Sequence, residues 1–91
     1  MSVKINLHWH ELRELANGRA VIEVSGNTTG QCLNNLVERF PALRDEIFNK
    51  DGELLGYLTV FVNRRPAFPQ ELTRPIKDGD EIHLVPMVAG G

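Results

Sequence analysis

The chain has 91 residues, of which 42% are apolar and 24% are charged, and its formal net charge is −2. This length and composition predict one globular domain, residues 1–91. The Lys and Arg residues are scattered and no apolar run approaches the ~18 residues of a membrane span, so we expect no nucleic acid, no membrane partner and a cytoplasmic location. The single cysteine, Cys32, excludes an internal disulfide and a four-cysteine iron–sulfur centre.

Two strands are predicted at the start of the chain. Apolar and polar residues alternate over residues 3–9, a period of two that is typical of a half-buried strand. The turn dipeptide Asn17-Gly18 precedes a second alternating segment, residues 20–25. We therefore expect a hairpin with a wide loop over residues 11–16. The residues expected to face the core are Val3, Ile5, Leu7, Trp9, Ala20, Ile22 and Val24.

One main helix is predicted to follow the hairpin. Thr28-Thr29-Gly30-Gln31 matches a capping box, in which the threonine accepts from a free amide and the glutamine reaches back towards the cap. Pro41 ends this helix, and a short second helical stretch is expected over residues 42–48, before a turn at residues 49–52. The apolar positions recur at helical spacing on one stripe: Cys32, Leu33, Leu36, Val37 and Phe40.

The second half of the chain predicts further strands. β-Branched and aromatic residues over 57–62 indicate a strand, and the prolines after it leave room only for a short edge strand. A turn at residues 77–80 precedes a last strand over residues 81–85. The chain therefore predicts an α+β fold of the β-grasp type, a mixed four- to five-stranded sheet with one main helix packed on one face.

The chain ends on two glycines, Gly90 and Gly91, after the last predicted strand. We expect residues 1–86 to form the folded body and residues 87–91 to form a flexible C-terminal tail. Because glycine has no Cβ atom, such a tail can enter a narrow channel and leaves its terminal carboxylate open to attack or activation. A frayed terminus without a function is the alternative interpretation.

Three stretches resemble the ubiquitin-like sulfur carriers, a family that includes ThiS, the small subunit of molybdopterin synthase (a MoaD-like protein) and a carrier for cysteine synthesis. The most specific stretch runs from the turn at residues 77–82 into Val85-Pro86-Met87-Val88-Ala89-Gly90-Gly91, which resembles the DGDEV turn and VAGG tail of the family. A weaker match is the stretch Leu12-Arg13-Glu14-Leu15. The third stretch, from Phe40-Pro41 to Phe61-Val62-Asn63, resembles the longer branch of the family, which includes the carrier for cysteine synthesis. The resemblance covers essentially the whole chain and implies the ubiquitin-like β-grasp fold.

The resemblance implies chemistry at the C-terminus. In the family, an adenylating enzyme similar to the ubiquitin-activating type uses ATP to activate the terminal carboxylate, and a sulfur donor then displaces AMP to leave a thiocarboxylate. Carried over to this chain, Gly91 holds the adenylate and then the sulfur, Gly90 and Ala89 give a slim approach, and Val88 and Met87 contact the channel mouth. The chain would be a carrier and not an enzyme, with no bound cofactor besides this covalent group.

The residues do not identify the protein that accepts the sulfur. We expect the larger subunit of molybdopterin synthase as the partner, so that this chain would be the small subunit of that enzyme in molybdenum cofactor biosynthesis. A carrier for cysteine synthesis, which would meet a PLP-dependent synthase, and a carrier for thiamine synthesis are alternatives. A ubiquitin-like modifier joined through Gly91 to lysine amines would have the same fold, tail and activation.

A docking patch is predicted on the exposed face of the sheet. Strand parity places Phe61 and Val85 on that face, with His8 of the first strand beside them. We expect this apolar patch to bind the partner together with the tail.

Other candidate sites are weaker. His8 and His10 are predicted on one face of the first strand, but without a plausible third ligand we expect no metal site. Cys32 lies on the apolar stripe of the predicted helix, so we expect an inert core residue. The spacing of Gly26 and Gly30 lacks the lysine of a phosphate loop, and we expect no nucleotide site on this chain.

Overall fold

The computed structural model describes residues 2–68 and 70–86. The predicted tail, residues 87–91, lies outside the described residues. The elements in chain order are β1 (Val3–Leu7), α1 (His10–Leu15), β2 (Val21–Val24), α2 (Thr29–Arg39), α3 (Arg44–Ile47), β3 (Leu58–Val62), β4 (Arg65–Pro66) and β5 (Glu81–Pro86). A 3₁₀ turn at Pro41–Leu43 lies between α2 and α3.

The strands form one mixed sheet of order β2-β1-β5-β3-β4. β1 and β5 are parallel, with Ile5 opposite Ile82. The other neighbouring strands are antiparallel. The predicted mixed sheet is therefore confirmed, and the last strand of the body lies at its centre.

Helix α2 covers one face of this sheet. The Oγ1 atom of Thr28 accepts a hydrogen bond from the backbone N–H of Gln31 at 3.2 Å. The Oε1 atom of Gln31 accepts from the N–H of Asn27 at 2.7 Å, one residue before the cap, so the predicted capping box forms with a shifted return contact. The predicted stripe is buried at Cys32, Leu33, Leu36 and Val37, against strand residues that include Ile5, Ile22, Ile82 and Leu84. This two-layer packing is the predicted β-grasp fold.

Residues 11–15 are helical, so the prediction of a wide loop over residues 11–16 was wrong. Helix α1 spans His10–Leu15 and buries Leu12 completely. Leu12, Leu15 and Ala16 lie three and four positions apart and therefore share one helix face, which packs on the core. The Nε atom of Arg13 also donates to the carbonyl of Leu7 at 2.7 Å, which fixes α1 to the end of β1.

The ends of the first two strands also differ from the prediction. β1 stops at Leu7, and Trp9 is the N-cap residue of α1, with its ring edge-on to the ring of Tyr57 at 5.4 Å between centroids. Ala20 is exposed instead of buried, because it precedes β2 and lies outside the regular alternation of the strand.

The predictions for the rest of the body are confirmed. The second helical stretch consists of the 3₁₀ turn and α3, and three apolar side chains in it or directly after it are buried in the core: Leu43, Ile47 and Phe48. Strand β3 buries alternate residues and leaves Thr59 and Phe61 on the other face. Strand β4 is a two-residue edge strand. The turn before β5 places Gly79 at a φ of 89°, a left-handed conformation that favours glycine.

The segment before β5 packs against the start of α2. The N–H of Thr29 donates to the carbonyl of Arg74 at 3.0 Å, and the N–H of Gly30 donates to the carbonyl of Leu72 at 2.8 Å. A Cβ atom on Gly30 would lie 2.6 Å from that carbonyl oxygen, so only glycine fits this contact without a shift. The helix start thus holds residues 72–75 in place.

None of the helices within residues 2–68 and 70–86 is long and apolar enough to cross a membrane.

Candidate functional site

His8, the residue after β1, and outward side chains of β3 and β5 form a surface on the face of the sheet opposite α2. We call this surface the exposed sheet face and define it by His8, Phe61, His83 and Val85. His83 lies opposite Asn6 of β1 on one side and Phe61 of β3 on the other, and Val85 lies opposite Thr59. Because side chains alternate along a strand, these positions point away from the core.

The structure brings the three predicted body residues together. His8, Phe61 and Val85 line one cavity on the exposed sheet face. The surface is more polar than the predicted apolar patch, since the same cavity is lined by Asn63, Arg64, Glu81 and His83. The binding of a partner by His8, Phe61 and Val85 stays a prediction, as do the roles of Met87, Val88, Ala89, Gly90 and Gly91, which lie outside the described residues.

A histidine pair in this cavity was missed by the sequence analysis. The Nε2 atom of His8 lies 2.8 Å from the Nδ1 atom of His83, and the ring centroids are 5.0 Å apart. The Nε2 atom of His83 is 3.4 Å from the Oε1 atom of Glu81. Parity on β5 was the available signal, because Glu81, His83 and Val85 alternate on one face.

The surroundings of His8 lower its pKa from the usual 6.5, first through desolvation by burial and then through the nearby His83 and Arg13. One of the two facing nitrogens donates and the other accepts, because protons on both would set two N–H groups against each other. The lowered pKa favours the neutral ring of His8, which lies within hydrogen-bond distance of His83.

His10 does not share a face with His8, so this part of the prediction was wrong. β1 ends before His10, which begins α1, and its Nε2 atom lies 2.9 Å from the Oε1 atom of Glu14 on the helix surface. Within the described part of the chain, no group of three or more His, Cys, Asp or Glu residues is arranged to hold a metal ion.

Cys32 is completely buried in the core, as predicted. Burial raises the pKa of its thiol. A thiol that stays protonated is a poor nucleophile, which is consistent with a packing role for this buried cysteine.

The exposed sheet face adjoins the point where the described chain ends. Pro86, the last described residue, lies opposite Leu58 at one end of β3, and Val85 precedes it on the exposed sheet face. A partner that contacts Val85 is therefore adjacent to the position from which residues 87–91 continue.

Comparison with known proteins identifies the family. The ThiS family profile matches residues 9–91. The Small archaeal modifier protein 1 of Haloferax volcanii is 40% identical over 83 residues, which covers 89% of this chain and 92% of that protein.

The fold comparisons agree with this match. The crystal structure of the Haloferax volcanii protein superposes with a TM-score of 0.85 at 34% identity and full coverage of both chains. A crystal structure of a BexX/CysO complex from Amycolatopsis orientalis contains a chain with a TM-score of 0.85 and 26% identity, with 98% of this chain and 99% of that chain covered. By profile, sequence and β-grasp fold together, the chain belongs to the ThiS family of ubiquitin-like sulfur carriers and modifiers.

Proposed function

We propose that this protein is a sulfur carrier that acts through the terminal carboxylate of Gly91. A partner enzyme joins that carboxylate to the AMP moiety of ATP and releases pyrophosphate. A sulfide equivalent then attacks the acyl carbon, AMP leaves, and a thiocarboxylate remains. The family match carries this proposal, because it extends over residues 9–91 and so includes both terminal glycines.

The described body supports a role in binding and not in catalysis. Its cysteine is buried with a raised thiol pKa, and its histidine pair is held by mutual contact and by Glu81. A tethered thiocarboxylate presents sulfur at high effective concentration without free sulfide, so specificity depends on which partner docks. We assign that docking to residues 87–90 and to His8, Phe61 and Val85.

The comparisons favour the alternatives over molybdopterin synthase as the sulfur acceptor. The relatives reported above are named a modifier and a CysO protein in complex with BexX, and neither name refers to molybdopterin. We therefore give the expected role as a molybdopterin synthase small subunit less weight than delivery of sulfur to another biosynthetic synthase, such as one for cysteine or thiamine.

A second candidate function is protein modification. It is favoured by the 40% identity to a protein named Small archaeal modifier protein 1. In this case the same adenylate would react onward to an amide bond between Gly91 and a lysine amine of the target. The two functions share the first step and differ in the nucleophile.

Mass spectrometry separates these functions. The full chain is incubated with a cognate activating enzyme, ATP and sulfide, with and without cell extract. A carrier gains the mass difference between one sulfur and one oxygen atom, whereas a modifier forms a conjugate with the combined mass of two polypeptides less one water. The control is a chain with one alanine added after Gly91, which should form neither product. Absence of both products from the unaltered chain would contradict the proposed function.

A further inference from the structure

Four of the ten Lys and Arg residues of this chain line one cavity at the β3–β4 end of the sheet. We call them the basic cluster: Arg64, Arg65, Arg74 and Lys77. Arg64 lies in the turn after β3 and Arg65 lies in β4, whereas Arg74 and Lys77 come from the connection before β5. The cluster is therefore assembled by the fold from two separate segments.

The backbone around the cluster is held by specific contacts. The carbonyl of Arg74 accepts from the N–H of Thr29, and Pro75 forms a bridge with Thr28 at the start of α2. The N–H of Lys77 donates to the Oδ2 atom of Asp80 at 2.8 Å. The cationic side chains thus extend from an ordered backbone.

The cavity of the basic cluster is lined by four cationic side chains and one carboxylate, that of Asp80. Among residues 2–68 and 70–86, no carboxylate lies within ion-pair distance of the four side chains. Asp80 is the acidic residue that lines this cavity, and its oxygens accept from the N–H of Lys77 and from the Nδ2 atom of Asn63 at 3.2 Å. The hydrogen bond from Lys77 in particular lowers the pKa of Asp80, so this carboxylate stays ionised with its oxygens already engaged.

We propose that the basic cluster binds an acidic segment of a protein partner. The guanidinium groups of Arg64, Arg65 and Arg74 can each receive a carboxylate with two parallel hydrogen bonds, and Lys77 adds a point charge. The partner that carries this segment is the enzyme that holds the tail, and this part of the proposal rests on the proposed function. The occupant of the cluster follows from charge complementarity, because the four cations outnumber the one carboxylate of the cavity and favour an acidic ligand.

A protein segment fits the cluster better than a nucleic acid does. The chain as a whole is acidic, with 12 Asp and Glu residues against 10 Lys and Arg. The other cations are dispersed over β1, the helices and the connections between them, so the described residues form no continuous basic track for a long phosphate backbone. A short acidic stretch matches the size of a single cavity.

The basic cluster is continuous with the exposed sheet face. Asn63 and Arg64 line both cavities. Along β3, Val62 beside the cluster and Leu58 opposite Pro86 are four residues apart, which corresponds to about 13 Å. One partner can therefore cover the exposed sheet face, contact the basic cluster at one end and receive the tail at the other, within an interface of ordinary size.

The test is a titration of the isotopically labelled full chain with a hexaglutamate peptide, followed by NMR. We expect the largest amide shifts in residues 62–65 and 74–77, and an affinity that falls about tenfold when the ionic strength rises from about 0.02 to 0.3 M, because exposed charges are screened by salt. Shifts centred elsewhere, or binding of inorganic phosphate but not of the peptide, would overturn the proposal.

Matched charge reversals provide the control. The double variant Arg64→Glu/Arg65→Glu should bind hexaglutamate about tenfold more weakly, since two exposed contacts are lost and repulsion replaces them. Arg19→Glu/Arg44→Glu changes the net charge by the same amount at exposed positions away from the cluster and should lower the affinity less than about threefold. If the first double variant does not fold, Arg64→Gln is measured in its place, with an expected loss of about threefold.

Equal losses in the two double variants would show a response to net charge alone and would overturn the proposal. The titration requires neither ATP nor an activating enzyme. Failure of peptide binding with intact thiocarboxylate formation would therefore remove the basic cluster and leave the proposed function standing, whereas the opposite result would remove the proposed function.

Discussion

The same strands form both faces of the sheet, but the two faces differ in how far their side chains are buried. On the face covered by α2, Ile5, Ile82 and Leu84 are fully buried. On the opposite face lie His83 and Val85 of β5 and His8, the residue after β1. All three remain in contact with solvent. Since neighbouring residues of one strand point to opposite sides, buried core residues alternate along the chain with the residues that we propose bind a partner. Substitutions on one face are therefore expected to leave the property of the other face nearly unchanged.

The sharpest test of this separation compares two neighbours on β5. Ile82→Ala should lower the free energy of unfolding by about 3 kcal/mol, because it removes a fully buried side chain and leaves a cavity at the centre of the sheet. His83→Ala, on the exposed sheet face, should cost less than about 1 kcal/mol. Urea unfolding measures both values. Similar losses in the two variants would contradict the division between the faces.

A second comparison concerns the seating of α2 on the covered face. Gly30→Ala should lower the free energy of unfolding by about 2 kcal/mol, because the new Cβ atom would lie 2.6 Å from the carbonyl oxygen of Leu72. Gly56→Ala is the matched control, since a Cβ atom added there would have no neighbouring atom within 4 Å and its φ is not left-handed. It should change the stability by less than about 1 kcal/mol. Thermal unfolding measures both changes. Equal stabilities of the two variants would show that the close contact with Leu72 does not restrict residue 30 to glycine.

A smaller effect is expected at the cap of the same helix. Thr28→Ala removes the hydroxyl that accepts from the N–H of Gln31, and should cost about 1 kcal/mol. Thr28→Ser keeps the hydroxyl and should recover most of that loss. If the serine variant is as unstable as the alanine variant, the hydrogen bond is not the cause, and packing of the threonine methyl group would explain the loss.

The smallest effect is the pH response of the exposed sheet face. The pKa of His8 should be measured by NMR below 6.5 in the folded protein. The folded state then binds this proton less tightly than the unfolded state does, so the associated stability is present above 6.5 and is lost as the pH falls through the two pKa values. The contribution is small because His8 is exposed to water.

His83→Gln tests the cause of that shift. It removes the partner ring that disfavours protonation, so the pKa of His8 should rise towards 6.5. An unchanged pKa of His8 in the variant would assign the shift to burial and to Arg13 alone.

Sequence patterns predicted most of the fold because they report local geometry. The period-two alternation of β1 and β3, the apolar stripe of α2 and the turn at residues 77–80 are each encoded within a few consecutive residues. Helix α1 was missed because its six residues offer less than two turns of periodicity, and its position depends on Leu12 finding the core.

The candidate site was predicted in part, for the same reason. Parity placed Phe61 and Val85 on the correct face, but it could not reveal that His8 and His83 touch. That contact depends on β1 and β5 becoming parallel neighbours across 75 positions of the chain.

The sequence by itself determined the class of this protein. Alternating strands, one amphipathic helix and the terminal Gly90-Gly91 can each be recognised from a short segment, and the chain matches one family over residues 9–91. Only the tertiary structure decided which distant side chains share a surface. It paired His8 with His83 and brought Arg64 and Arg65 to Arg74 and Lys77. The physical reason is that backbone periodicity is set by local sterics and hydrogen bonding, whereas strand order and loop packing are set by how the whole chain buries its apolar residues.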